Sequence, residues 1–183
     1  MILFVNACVR DKSRTLILAS RLLNTLEGDV KEVRLEDMDF PVVDEDFIDR
    51  RDSLIRSGKY DDPMFELGRD FAKADTIVIA APYYDLSFPA MLKQYFEQIN
   101  VVGLTFVYTE NGTPVGLCKA KDLYYVTTAG GPVISDAFGF GYVKALAETF
   151  YGIDHVYQIK AEGLDIVGAD VDEILERAST ELQ

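Results

Sequence analysis

Along this chain, short unbroken apolar runs alternate with stretches whose apolar residues recur every three or four positions. Residues 1–7 form the first run, the pattern of a strand buried on both faces. The run is too short for a secretory h-region and has no basic preface, so a strand is expected rather than a leader. Leu16, Ala19, Leu22, Leu23 and Leu26 then keep helical spacing. Residues 30–35 alternate imperfectly, as a strand, and residues 76–81 form a second buried one. Phe88, Met91, Leu92, Tyr95, Phe96 and Ile99 make the clearest helical stripe, with Pro89 suited to its first turn. Residues 123–127 read as another buried strand, and Phe138, Tyr142, Val143, Leu146, Ala147 and Phe150 as a helix. A last strand is expected at 155–159. Asp170, with Glu173 three positions on, then caps a final helix that turns Val171, Ile174, Leu175 and Ala178 inward.

Strands alternating with helices imply an α/β fold, a parallel sheet covered on both faces. Five strands connected in this way suit a doubly wound sheet of order 2-1-3-4-5. The 183 residues fit one domain, 1–183, with enough chain to bury a core unaided. The stretch 40–75 exceeds a minimal crossover and predicts additional helix. Its dense charge around Asp44, Glu45, Asp46, Asp49, Arg50, Arg51 and Asp52 suits a solvated face, or a mobile cover over a site.

In such sheets ligands bind beyond the carboxyl ends of the strands, where the strand order reverses. Three loops are expected there. The first, 6–15, carries Arg10, Lys12 and Arg14 together with Ser13 and Thr15, directly before a helix. Its hydroxyls and free helix-start amides suit a phosphate, although Ser13 could equally cap the helix while Arg10 and Lys12 are solvated. The loop is neither a dinucleotide fingerprint nor a P-loop. The second, 81–89, places Pro82, Tyr83, Tyr84, Asp85 and Leu86 where a loop would ordinarily be polar, offering flat apolar surface to a ring, or else packing or a subunit contact. The third, 127–132, holds Thr128, Ala129, Gly130 and Gly131, whose paired glycines admit backbone amides close to a ligand or simply make a tight turn. Together the three describe a flat ring with a phosphate tail, for which FMN is the economical candidate.

Charge narrows the partners. Eighteen basic against thirty-one acidic residues give a net charge of −13, which repels nucleic acid and anionic membrane. No apolar run approaches membrane-spanning length. Cys8 and Cys118 make no disulfide framework, so a reducing, cytoplasmic setting is expected. His155, the only histidine, is expected to be structural, and with nothing clustered around it no metal site is expected.

The residues Pro82-Tyr83-Tyr84-Asp85-Leu86-Ser87-Phe88-Pro89, continuing to Phe96, the segment Gly103 to Gly112 with Gly116, and Thr127 to Gly131 resemble the flavodoxin-like NAD(P)H dehydrogenase (quinone) and FMN-dependent NADH-azoreductase family. The family pattern is a P-x-Y-x-[FL]-x-[IF]-P helix start, a G-x-T-F-x-Y hairpin-like segment and a T-[ST]-x-G-G loop. The likeness implies that Ser13, Arg14 and Thr15, with Cys8 nearby, hold an FMN phosphate. Tyr83, Tyr84, Asp85 and Leu86 would run along the ring, and Thr128 to Gly131 would meet its pyrimidine end. It also implies a homodimer in which Phe106 and Tyr108 border the partner's site. Two departures stand out. Asp85 occupies a position commonly asparagine, and a carboxylate cannot donate to a flavin carbonyl unless protonated. Arg14 replaces a usually neutral residue, which should favour phosphate.

The activity so implied is transfer of hydride from NADH or NADPH, through FMN, to a small-molecule acceptor such as a quinone or azo compound. The cofactor carries the chemistry, and no catalytic side-chain acid or base is demanded. Two alternatives stay open: a flavodoxin-type electron carrier that does not oxidise NAD(P)H, and a non-enzymatic member that has lost the flavin.

Overall fold

A computed structural model describes residues 1–180. Its main sheet contains β1 (Ile2–Asn6), β2 (Val30–Arg34), β3 (Thr76–Ala80), β6 (Asp122–Thr128) and β7 (His155–Ala161), all parallel, in the order β2-β1-β3-β6-β7. Counting only these strands, the order is the expected 2-1-3-4-5. The helices are α1 (Arg14–Leu23), α2 (Glu45–Arg56), α3 (Glu66–Lys73), α4 (Ala90–Ile99), α5 (Phe140–Leu146) and α6 (Val171–Thr180). A separate antiparallel hairpin, β4 (Phe106–Tyr108) and β5 (Pro114–Gly116), forms from the G-x-T-F-x-Y segment.

The central strands read as unbroken apolar runs because both of their faces are covered. Leu3, Val5, Ile77, Ile79, Leu123 and Tyr125 point into one core layer, shared with Phe71 of α3, Phe96 of α4 and Val143 of α5. The intervening Ile2, Phe4, Val78, Ala80 and Val126 point the other way, against Leu18 of α1 and Leu175 of α6. The imperfect alternation of β2 has a physical cause. It is an edge strand, and Val33 is its only buried residue.

Register is what positions the site. Asn6 lies beside Ala80, Ala80 beside Val126, and Thr128 beside Ala161, so the loops leaving β1, β3, β6 and β7 emerge along one rim. Asp170 caps α6 as expected, accepting a 3.0 Å bond from the amide of Glu173.

Three elements differ from the periodicity. The stripe beginning at Phe88 becomes helical only at Ala90, yet Phe88 still packs on Phe96 and Tyr142, with centroids 6.1 and 5.7 Å apart. The helix expected from Phe138 starts at Phe140, and its last turn widens to a π-turn over Ala147–Tyr151, closed by Gly152 at φ 70°. Within 40–75, α3 is the crossover helix packed on the sheet. The charged α2 lies outside it with no buried residue.

Candidate functional site

Along the shared rim lies a cavity of about 350 Å³, lined by Val9, Arg10, Lys12, Ser13, Arg14, Thr15, Pro82, Tyr83, Tyr84, Thr128, Ala129, Gly130, Leu164 and Asp165. Three loops far apart in sequence thus meet, as the sequence led one to expect. The tie is a backbone one: the amide of Tyr83 donates to the Thr128 carbonyl at 3.0 Å, and that of Ala7 to the Ala80 carbonyl at 2.8 Å.

At one end, the chain turns from β1 into α1. Ser13 is the N-cap, its Oγ accepting from the Leu16 amide at 3.3 Å, so the capping role weighed for this hydroxyl is real. The next two amides, of Arg14 and Thr15, have no hydrogen-bond partner among the described residues, as first-turn amides of a helix must when nothing caps them. These free donors, with the exposed cations Arg10 and Lys12 on the same wall, make an anion-attracting corner in an acidic protein.

The side chain of Thr15 does something else. It is fully buried, and its Oγ1 meets Thr128 Oγ1 at 2.7 Å, bonding the first loop to the third. Arg14 is also engaged. Its Nη1 donates to Asp165 Oδ1 at 2.6 Å and to the Leu164 carbonyl at 3.2 Å. Arg14, expected at a phosphate, lines the cavity with this ion pair already formed in its wall. That pair neutralises the one carboxylate lining the cavity and leaves Arg10 and Lys12 as its net positive charge.

The far end is made by the glycine loop. The amides of Gly130 and Gly131 are likewise without protein partners, while their carbonyls accept from Asp165 (2.8 Å) and Gly163 (3.1 Å). A Cβ on Gly130 would stand 2.2 Å from Asp165 Oδ2, so a side chain there would have to displace the carboxylate that pairs with Arg14. Gly131 is exposed and does not line the cavity.

Between the two ends, Tyr83 and Tyr84 form a wall. Residues 84–87 close a tight turn with reciprocal bonds, Tyr84 N–H to Ser87 O (3.0 Å) and Ser87 N–H to Tyr84 O (2.7 Å). Asp85 and Leu86 occupy its centre at φ 49° and 68°, the left-handed region that Asn-Gly usually fills. For leucine this conformation costs about 1–2 kcal/mol. It is held by Ser87 Oγ, which donates to the Phe138 carbonyl at 2.6 Å.

Three more of the expected residues lie outside the cavity lining. Asp85 and Leu86 are exposed at the tip of that turn and outside the cavity lining, so neither faces its interior. Cys8 is packed beneath the first loop, 4% exposed, with its amide donating to Asn6 Oδ1 at 2.9 Å; burial pushes its thiol pKa up. Such a thiol is a core residue rather than a ligand-holding group. Sequence reading also passed over Leu164 and Asp165. The signal was topological: β7 neighbours β6 in the parallel sheet, so its following loop had to reach the same rim.

Comparison with known proteins agrees with this geometry. A family described as having a flavodoxin-like fold matches residues 1–183. A protein of Coprothermobacter proteolyticus named FMN-dependent NADH:quinone oxidoreductase is 33% identical, covering 94% of this chain and 90% of its own length. The crystal structure of an azoreductase from Bacillus anthracis str. Sterne superposes with a TM-score of 0.84 at 25% identity, over 98% of this chain and 95% of that one. That of a FMN-dependent NADH-azoreductase from Bacillus anthracis str. Ames Ancestor, in complex with FMN, shares the fold at a TM-score of 0.81 and 24% identity, over 99% of this chain and 94% of that one. The chain belongs to the flavodoxin-like family that includes the FMN-dependent NADH:quinone oxidoreductases.

Proposed function

We propose that this chain is an FMN-dependent oxidoreductase that passes reducing equivalents from NADH to a quinone, azo or similar small-molecule acceptor, working as a cytoplasmic homodimer with residues 1–183 as one FMN-binding domain. The observation that carries the reading is the rim cavity, with unpaired amides and cations at one end, the unpaired Gly130 amide at the other and tyrosines between. Those features fit FMN. Arg10, Lys12 and Ser13, with the amides of Arg14 and Thr15, would hold the phosphate. Tyr83 and Tyr84 would flank the ring, with Thr128, Ala129 and Gly130 at its polar end.

Bound there, FMN would supply the acceptance of hydride from NADH and its delivery to the acceptor. The protein's own part is position and electrostatics. The free Gly130 amide offers a preorganised donor to charge that develops on a bound ring. The Thr15–Thr128 bond keeps the two ends of the cradle at a set separation. Asp85, turned outward, has no carboxylate contact to make with a flavin carbonyl, which removes the conflict its chemistry would raise inside the cavity. Tyr84, Leu86 and Phe138 leave an exposed apolar mouth, 38%, 46% and 60% accessible, suited to the flat faces of nicotinamide and quinone and to a second subunit. Two free, buried cysteines accord with a reducing compartment.

The test is direct. Purified protein given FMN should turn yellow, lose that colour with NADH under anaerobic conditions, and oxidise NADH continuously once a benzoquinone or an azo dye is added. Protein that takes up no flavin overturns the proposal. Flavin uptake without NADH oxidation makes it an electron carrier instead. Sedimentation should show a dimer, and a fully active monomer would refute that part.

A further inference from the structure

Past the glycine loop the chain runs through residues 132–138 before α5 begins, and residues 132–135 make no backbone–backbone hydrogen bond with any described residue. The polar backbone of such a segment must be met by side chains or water. Here side chains meet part of it. The Val133 amide donates to Glu162 Oε1 at 2.6 Å, and the Ala137 amide to Ser135 Oγ at 3.2 Å. The segment's own carboxylate, Asp136, is gripped on both oxygens from β7: Gln158 Nε2 donates to Oδ1 at 2.8 Å and Lys160 Nζ to Oδ2 at 3.4 Å.

Lys160 is the centre of this grip. Its Nζ also lies 3.5 Å from Glu162 Oε1, the atom that receives the Val133 amide. One ammonium thus serves both carboxylates that tie the segment to the sheet. Without it, Asp136 and Glu162 would stand close together as unscreened like charges. All three side chains are only partly buried, and ion pairs of that kind add little to stability. What they can fix is place. Their base is firm, since β7 is bonded to β6 in register over its whole length.

The segment so held stands at the mouth of the rim cavity. Tyr83, which lines that cavity, has its hydroxyl 3.4 Å from both the carbonyl and the amide of Ser135, and Ser87 Oγ donates to the Phe138 carbonyl at 2.6 Å. From this frame Ile134 and Phe138 project outward as exposed apolar side chains. Apolar surface displayed beside a ligand cavity, on a loop pinned from behind, suits contact with a flat apolar molecule.

Resting on the oxidoreductase reading above, we propose that Lys160 is a positioning residue for the electron acceptor: by drawing Asp136 and Glu162 to one point of β7, it holds residues 132–138 so that Ile134 and Phe138 flank an apolar acceptor at the cavity mouth. Lys160 does not line the rim cavity, so it acts through the segment and not on the flavin.

The test uses FMN-loaded protein, NADH and 2-methyl-1,4-naphthoquinone. Lys160→Met should raise the KM for the quinone about tenfold and leave kcat within about twofold, the mark of lost binding rather than lost chemistry. Lys160→Arg, which keeps the charge and the donors, should restore the KM. Ile134→Ser alters an exposed side chain and should raise the same KM alone; Lys160→Met added to it should raise it little further, because both act on one contact. A second readout needs no flavin. In Lys160→Met the Val133 amide should exchange its hydrogen faster, while the Ala129 amide, bonded to the Ala161 carbonyl, keeps its rate.

An unmoved KM, full additivity with Ile134→Ser, no rescue by arginine, or faster exchange at Ala129 as well overturns the inference, while continued NADH oxidation by the flavin-loaded protein leaves the broader reading standing. A shift in sedimentation with Ile134→Ser would assign that side chain to a subunit contact and overturn it too. Protein that takes up no flavin overturns both.

Discussion

The rim cavity and a second hollow, between β2, α2 and α3, flank the same strand end and differ in almost every other respect. The rim cavity is the smaller, about 350 Å³ against 810 Å³, and its walls are loops that leave parallel strands side by side. Its character comes from backbone: free amides at the start of α1 and in the glycine loop, arranged by the sheet's register. The cavity beside β2 is built from side chains, apolar and charged together, brought by an excursion the sheet does not require. A single thread joins them, Asn6, whose side chain donates to Glu32 on one side and accepts from the Cys8 amide on the other. The contrast teaches that size is a poor guide to chemistry in such a fold. Backbone donors set by topology mark a site for a phosphate-bearing cofactor, whereas charged side chains of the larger hollow pair among themselves, as Lys31 does with Asp70 and Arg34 with Asp37.

The sharpest way to break this comparison is to reverse the charge of one cavity alone. Arg10→Glu combined with Lys12→Glu should weaken FMN binding about 100-fold, measured by flavin fluorescence titration, since charge-assisted contacts to a phosphate are the strong ones. Phe47→Ala, in the other cavity, should leave FMN affinity within about twofold. Equal effects from the two changes would mean that the cavities are not chemically separate.

A smaller effect tests the brace between loops. Thr15→Val keeps the shape but removes the bond to Thr128, leaving a buried hydroxyl unpaired, and should cost about 1–3 kcal/mol in urea unfolding. An unchanged midpoint would show that Thr128 finds another partner. Smaller still is the strained turn. Leu86→Gly should gain up to about 1 kcal/mol of stability by removing a left-handed leucine, part of the gain being offset by the greater freedom of glycine in the unfolded chain. A loss of stability would mean that the leucine side chain contributes more than its backbone costs.

The smallest effect belongs to a control outside both cavities. Asp75 accepts a hydrogen bond from Lys119 and another from the Met1 amine, and these hold its pKa at about 2 rather than the ordinary 3.8. A carboxyl depressed in the folded state adds stability that is present above its unfolded value and is lost as pH falls through the folded one. Asp75→Asn should therefore lower the urea midpoint slightly at pH 6, and the gap to the unaltered protein should close as pH approaches 2. A gap that persists there would assign the effect to packing.

Much of the rim cavity was legible before the fold was known. The three loops could be named because a buried parallel strand is an unbroken apolar run, and such runs locate the strand ends where ligands bind. Arg10, Ser13, Tyr83, Tyr84 and Gly130 all line the cavity so identified. The roles of their neighbours were less legible. Arg14 reads as a phosphate contact, and only the fold shows that Asp165, distant in the chain, pairs with it. Cys8 belongs to a ligand loop, and burial places it underneath as a packed thiol. Charge and polarity can be read from a residue, but their partners cannot.

The sequence by itself determined the alternation of strands and helices, the order of the sheet and the edge at which loops gather, because hydrophobic periodicity is a local property and parallel topology leaves few arrangements. Only the tertiary structure decided which cations stay free, which hydroxyl braces the cradle, which way Asp85 turns, and that a second hollow lies behind α2. Those outcomes depend on which distant groups come within about 3 Å of one another, the range over which a hydrogen bond or ion pair forms.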